Sequence, residues 1–205
     1  MKKIAIACMF AIIFSLSAEE SLFQPALWKT TKPAVFENGT LRLQPQSLAV
    51  YGKEVTETGL TVDVSLQPHD CPVPGTEDRY HSTGIRIVNG KDYWALQLVQ
   101  RPGKGGRYLE LRLFQNNKWQ YDIGRTEQVL REKTEGCWNF EQKLRLVLKL
   151  TPTGVRGTLL DTATRRSLAQ IEYRFRDDSL LRSGTPALWN GGLAADFSEF
   201  RCNVK

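Results

Sequence analysis

Both histidines of the chain, His69 and His81, bracket one loop that also carries Asp70, Glu77 and Asp78. Imidazoles and carboxylates gathered over so few residues can act as acid and base or hold a divalent cation. His69, Asp70 and His81 are therefore the candidates for catalysis. Their spacing matches no recognised metal-ligand pattern, so no metal site is assigned. Pro68, Pro72 and Pro74 with Cys71 also describe a stiffened, solvated loop leading into a strand at His81.

A second set of residues offers binding rather than bond breaking. Tyr93, Trp94, Trp119, Tyr121, Trp138 and Trp189 fall in or beside strand-like segments, among the polar residues Arg86, Asn89, Gln97 and Arg112. Sugar rings have apolar faces that stack on aromatic rings, and Arg, Asn and Gln side chains reach hydroxyl groups. Arg86, Asn89, Tyr93, Trp94 and Trp119 are the expected ligand-binding residues. Aromatics also dominate sandwich interiors. On a strand, adjacent side chains take opposite faces, so one of Tyr93 and Trp94 faces the core and the other does not. Trp119 and Tyr121 share a face.

The elements that must position these residues are strands. Val62, Val64 and Leu66 alternate with polar residues, as do Leu109, Leu111 and Leu113, and Leu144 to Leu150. Gly84–Gly90 and Tyr93–Val99 read as a hairpin, and Leu144–Leu150 turns at Pro152-Thr153-Gly154 into Val155–Leu160. Leu168–Phe175 is one further strand. Period-two alternation between turn residues marks antiparallel strands with one buried face. The expected fold is all-β, a two-sheet antiparallel β-sandwich. Thr126–Lys133 has helix formers and little alternation, which predicts a short helical or irregular connection.

The tail carries a resemblance. A small-residue turn at Ser183-Gly184 leads into Thr185–Trp189, a Gly191-Gly192 turn and the alternating Ala194–Arg201. This resembles the closing pair of strands of the laminin-G-like branch of the concanavalin-A-like lectin/glucanase superfamily, a jelly roll. Phe36–Leu43 resembles its opening strand, Gly59–Leu66 its next strand, Ser82–Gln100 its aromatic-rich hairpin and Leu144–Thr158 its extended hairpin. Nearly the whole chain beyond the leader is covered, by pattern rather than by motif.

The resemblance implies glycan handling. Laminarinase-like members place Glu-x-Asp-x-Glu on one strand, because retaining hydrolysis needs two carboxyl groups about 5 Å apart. That pattern is absent, and Glu110 and Asp122 stand singly. Other sandwiches of this kind resemble keto-disaccharide hydrolase-like and lyase domains, which leaves a metal-assisted enzyme around His69, Asp70 and His81 as the alternative. Related domains often hold a structural calcium through an acidic residue just after the Phe of the closing strand. Ser198 stands there, between Phe197 and Glu199, which argues against the ion. No other cofactor is expected.

Lys2-Lys3, the apolar run Ile4–Leu16 and the small residues Ser15–Ala18 predict a secretory signal peptide over residues 1–18, too short to span a bilayer stably. Residues 19–205 then form one domain in the periplasm or outside the cell, with no membrane insertion. The 205-residue chain has a net charge of +6, or +4 without Lys2 and Lys3. Its basic residues alternate along strands, the pattern of a solvated face rather than a nucleic-acid stripe. A polysaccharide or glycoconjugate, anionic in keeping with the charge, is the expected partner, and a protein partner is the further alternative. An exported chain permits disulfides. Cys71 and Cys137 lie in loops that reach one end of the sandwich if the strand before the first and the strand after the second are neighbours. They are the expected pair, with Cys202 as the thiol left over.

Overall fold

The computed structural model describes residues 22–52, 59–70, 76, 78–102, 106–120, 134–176 and 178–203. The signal sequence, Cys71, Glu77, Tyr121, Asp122 and the expected helical or irregular connection at 126–133 lie outside the described residues. After a single 3-10 turn at Pro25–Leu27 come the strands β1 (Trp28–Thr30), β2 (Ala34–Glu37), β3 (Thr40–Leu43), β4 (Ser47–Tyr51), β5 (Thr61–Pro68), β6 (His81–Asn89) and β7 (Asp92–Gln100). They are followed by β8 (Arg107–Gln115), β9 (Lys118–Trp119), β10 (Leu144–Thr151), β11 (Gly154–Asp161), β12 (Ser167–Arg174), β13 (Thr185–Asn190) and β14 (Ala195–Cys202).

The strands form two antiparallel seven-stranded sheets, ordered β1-β4-β13-β6-β7-β8-β9 and β12-β11-β10-β5-β14-β3-β2. This is the all-β sandwich the alternation predicts, with an arrangement consistent with a jelly roll. The leucines of the alternating runs point inward. Ile85, Ile87, Leu96, Leu98, Leu109, Leu111 and Leu113 of the first sheet meet Val62, Val64, Leu146, Leu148 and Phe197 of the second in one buried core. Gly157 faces Leu96 across the sandwich, and a Cβ there would overlap the Leu96 side chain. The missing side chain is what lets the sheets close over Leu96.

Two expected segments differ in detail. Phe36–Leu43 is not one strand but the hairpin β2–β3, paired Glu37↔Thr40 around Asn38-Gly39. Asn38 (φ 50°) and Gly39 (φ 73°) take the left-handed conformations of a tight hairpin turn, a signal that Asn-Gly carries by itself. The closing strands also do not pair with each other. β13 sits between β4 and β6, and β14 sits between β5 and β3. The Gly191-Gly192 turn carries the chain from one sheet to the other.

β5 and β10 are antiparallel neighbours, as the disulfide argument requires. Cys137 nonetheless carries a free thiol, half-buried, and burial pushes its pKa up to about 11.

Candidate functional site

The outer face of the first sheet is built by the residues that alternate with the core leucines. In register across β6, β7 and β8 lie Ser82↔Val99↔Tyr108, Gly84↔Gln97↔Glu110 and Arg86↔Ala95↔Arg112. β13 adds Trp189 opposite Gly84. The small residues Gly84 and Ala95 leave room between the long side chains around them. The result is a groove of about 530 Å³ whose lining includes Arg86, Gln97, Glu110, Arg112, Trp119 and Trp189, with the exposed ring of Tyr80 at its edge.

The floor is an alternation of rings and cations. The Arg86 guanidinium carbon stands 3.7 Å from the Trp189 ring centroid and 4.2 Å from that of Tyr93. β13 and β7 flank β6, so the two rings hold the guanidinium from either side. Tyr93 meets Trp119 edge-on at 5.7 Å and stacks on Phe114 at 5.3 Å. The Arg112 guanidinium lies 4.0 Å over Trp119. Cation–π contacts of this kind contribute roughly 0.5–2 kcal/mol each, more when desolvated. Beneath them Gln97 Nε2 donates to Glu110 Oε2 at 2.8 Å, and Arg112 Nη1 donates to the same oxygen at 3.4 Å. Burial lowers the pKa of Arg86 to about 10, partly offset by Tyr93, and raises that of Tyr93, which Arg86 and Arg112 counter. Arg86 stays cationic at neutral pH.

Of the expected ligand-binding residues, Arg86 and Trp119 line the groove, and Tyr93 packs against both of them beside it. Trp94 does neither. It is 0% exposed, on the core face of β7, with Nε1 donating to the Leu181 carbonyl at 2.9 Å. Strand parity forces this once Tyr93 faces out. Asn89 sits exposed at the turn between β6 and β7, outside the groove. Trp138 is also core, with its Nε1 on the Tyr108 carbonyl. Trp189, Glu110, Gln97 and Tyr108 complete the lining. The alternation of β8 marks Tyr108 and Glu110 as outward-facing, but the pairing of β13 with β6, about a hundred residues apart in the chain, has no local signal.

Neither histidine lines this groove. His69 lies by the outer face of the other sheet, where Nδ1 is 3.0 Å from Glu141 and Nε2 is 3.1 Å from Asp196. His81 is 8% exposed, and its Nε2 lies 2.9 Å from the Thr76 carbonyl, so that nitrogen carries the proton. Asp70 is exposed. Among the described residues no group of three His, Cys, Asp or Glu side chains is arranged to hold a metal ion. Of the two acidic residues flanking the expected calcium position at Ser198, Asp196 is paired with Arg42 and His69, and Glu199 accepts from Ser65 and lies 3.8 Å from Arg145.

Arg42 hydrogen bonds hold the Asp196 carboxyl below the ordinary aspartate range, against an opposing effect of burial, with His69 assisting. A carboxylate with a depressed folded-state pKa contributes stability above its unfolded value and loses it as pH falls. Acid is therefore expected to weaken the fold from pH ~4 downward. Asp196→Asn should flatten that part of a urea-stability profile by ~1 kcal/mol or less, since Arg42 is largely exposed. An unchanged profile in the variant would remove Asp196 from the acid response.

No family model matches the sequence, and a search of curated proteins finds no match. Solved structures do match. The CBM2 module of the evolved Dit of Lactobacillus casei BL23 phage J-1 aligns with TM-score 0.61 at 6% identity, over 89% of this chain and 92% of that one. The exoplasmic/lumenal domain of VIP36 in its Ca2+/Man3GlcNAc-bound form aligns with TM-score 0.57 at 13% identity, over 89% and 86%. A xylan beta-1,4-xylosidase from Bacillus halodurans C-125 aligns with TM-score 0.62 at 15% identity, covering 89% of this chain but 38% of that one. The fold is thus that of the lectin-like β-sandwiches. At such identities the likeness extends to the fold alone.

Proposed function

We propose that this protein is a glycan-recognition module, exported from the cytoplasm, that holds a sugar chain in the groove on the outer face of its first sheet. The observation that carries the reading is the ladder Trp189–Arg86–Tyr93–Trp119–Arg112. Rings supply flat apolar surface for sugar faces, and the polar side chains between them supply donors and acceptors for hydroxyls. The structural neighbours include a carbohydrate-binding module and a mannoside-bound lumenal domain, which supports the same use of the fold. Recognition without hydrolysis is favoured by the groove's acid content. Glu110 is the one carboxylate that lines it among the described residues, and Gln97 and Arg112 already occupy it, whereas glycoside hydrolysis takes a pair.

The test is a glycan array on the protein from residue 19 onward, with and without calcium, repeated on Trp189→Ala. Saturable binding that weakens at least tenfold, about 1.4 kcal/mol, in a variant of unchanged circular dichroism is the expected result. Binding that survives Trp189→Ala would place the sugar elsewhere, and binding to no glycan would overturn the reading.

A further inference from the structure

Among the described residues, one cation of the groove, Arg86, faces no anion. Arg112 shares the Glu110 carboxylate with Gln97. Arg86 has no such partner: none of the ion pairs among the described residues includes it, and its Nε atom is buried without a hydrogen-bond acceptor. Its guanidinium carbon lies against two rings carried by the flanking strands, Trp189 on β13 and Tyr93 on β7. A charge withdrawn from water without a partner is costly, and ring faces compensate it in part. What remains available is the in-plane edge of the guanidinium, where its N–H groups point. That edge matches the two oxygens of a carboxylate, which accept two parallel N–H hydrogen bonds.

Resting on the glycan reading above, we infer that the groove selects acidic sugars, with Arg86 receiving the carboxylate of a uronic- or sialic-acid residue. The flanking rings fix the guanidinium in advance of binding, so little side-chain entropy is lost when the anion arrives. Trp189 and Trp119, on either side, are placed to stack the acidic sugar and its neighbour. The lowered pKa of Arg86, caused by burial, agrees with a desolvated cation, and an incoming anion would restore it.

The experiment compares oligosaccharides of galacturonate, glucuronate and sialate with their own methyl esters by calorimetry. Esterification keeps every ring and hydroxyl and removes the charge. A sulfated oligosaccharide is run beside them. The unmodified protein is expected to bind at least one acid tenfold or more tighter than its ester, with affinity falling as salt rises. Arg86→Gln should erase the difference between acid and ester. Arg86→Lys should recover a part of it, because an ammonium supplies charge without the two-pronged edge. The comparison on the unmodified protein does not depend on either variant folding. Equal binding of acid and ester in the groove would overturn the carboxylate assignment and leave the glycan reading standing. Preference for the sulfated probe over every carboxylate would overturn it too. Binding of no probe and of no array glycan would take both down.

Discussion

Replacing Trp94 with alanine is expected to lower the stability of the protein by about 3–5 kcal/mol, the range for truncating a buried Trp. Three losses act together. The indole is fully buried, so its removal leaves a cavity between the sheets. Its ring meets Tyr173 and Phe175 at 6.1 Å each, and both contacts disappear. The carbonyl of Leu181 loses its donor at 2.9 Å, and an orphaned buried acceptor costs about 1–3 kcal/mol. These contacts tie β7 of the first sheet to the end of β12 and to the segment before β13, so the loss is expected to be global rather than local. A domain with about 5–15 kcal/mol in hand would survive, with a urea midpoint far below that of the parent. Tyr93→Ala, one residue away on the outer face, should cost much less because the ring it removes is only partly buried. Equal midpoints for the two variants would contradict the opposite facing of these neighbours.

That pair shows how far the sequence reaches. Alternation alone says that Tyr93 and Trp94 face opposite ways, but it does not say which is inside. The decision comes from Leu96 and Leu98, which share a face with Trp94 and are buried. The same parity applied to β6 and β8 puts Arg86, Glu110 and Arg112 on the outer face. What parity cannot supply is the neighbour across the sheet. Trp189 reaches Arg86 because β13 inserts between β4 and β6, a pairing fixed by the packing of the whole core. Strict alternation also fails in β14. Phe197 and Phe200 are three residues apart and would point to opposite faces, yet both are buried. A register shift between Ser198 and Arg201, with Glu199 in the left-handed region at φ 49°, turns Phe200 inward. There it packs with Phe23, Trp28 and Tyr51 to close one end of the core. The two histidines separate for a related reason: they are close in sequence, but the strands they adjoin, β5 and β6, belong to different sheets.

Glu110→Ala is the second large effect, expected to destabilise the protein by about 1–3 kcal/mol and to loosen the groove. Among the described contacts, the bonds from Gln97 and Arg112 to its carboxylate are unequal. The Gln97 bond is 2.8 Å long and joins side chains 6% and 3% exposed, so water competes poorly for it. The Arg112 contact is 3.4 Å long, and that side chain is 20% exposed and also rests on Trp119. Arg112 can turn to solvent when the carboxylate is removed, whereas the Gln97 amide is left buried with a vacant donor. Unfolding of the single and double variants in urea should therefore give a larger coupling energy for Glu110 with Gln97 than for Glu110 with Arg112. The reverse order would mean that charge attraction, rather than a desolvated hydrogen bond, holds the site. The same distinction separates the two arginines of the groove. Arg112 has a carboxylate to hold and a ring to lie on. Arg86 has rings on both sides and a free edge, which is why an incoming acid should be read by Arg86.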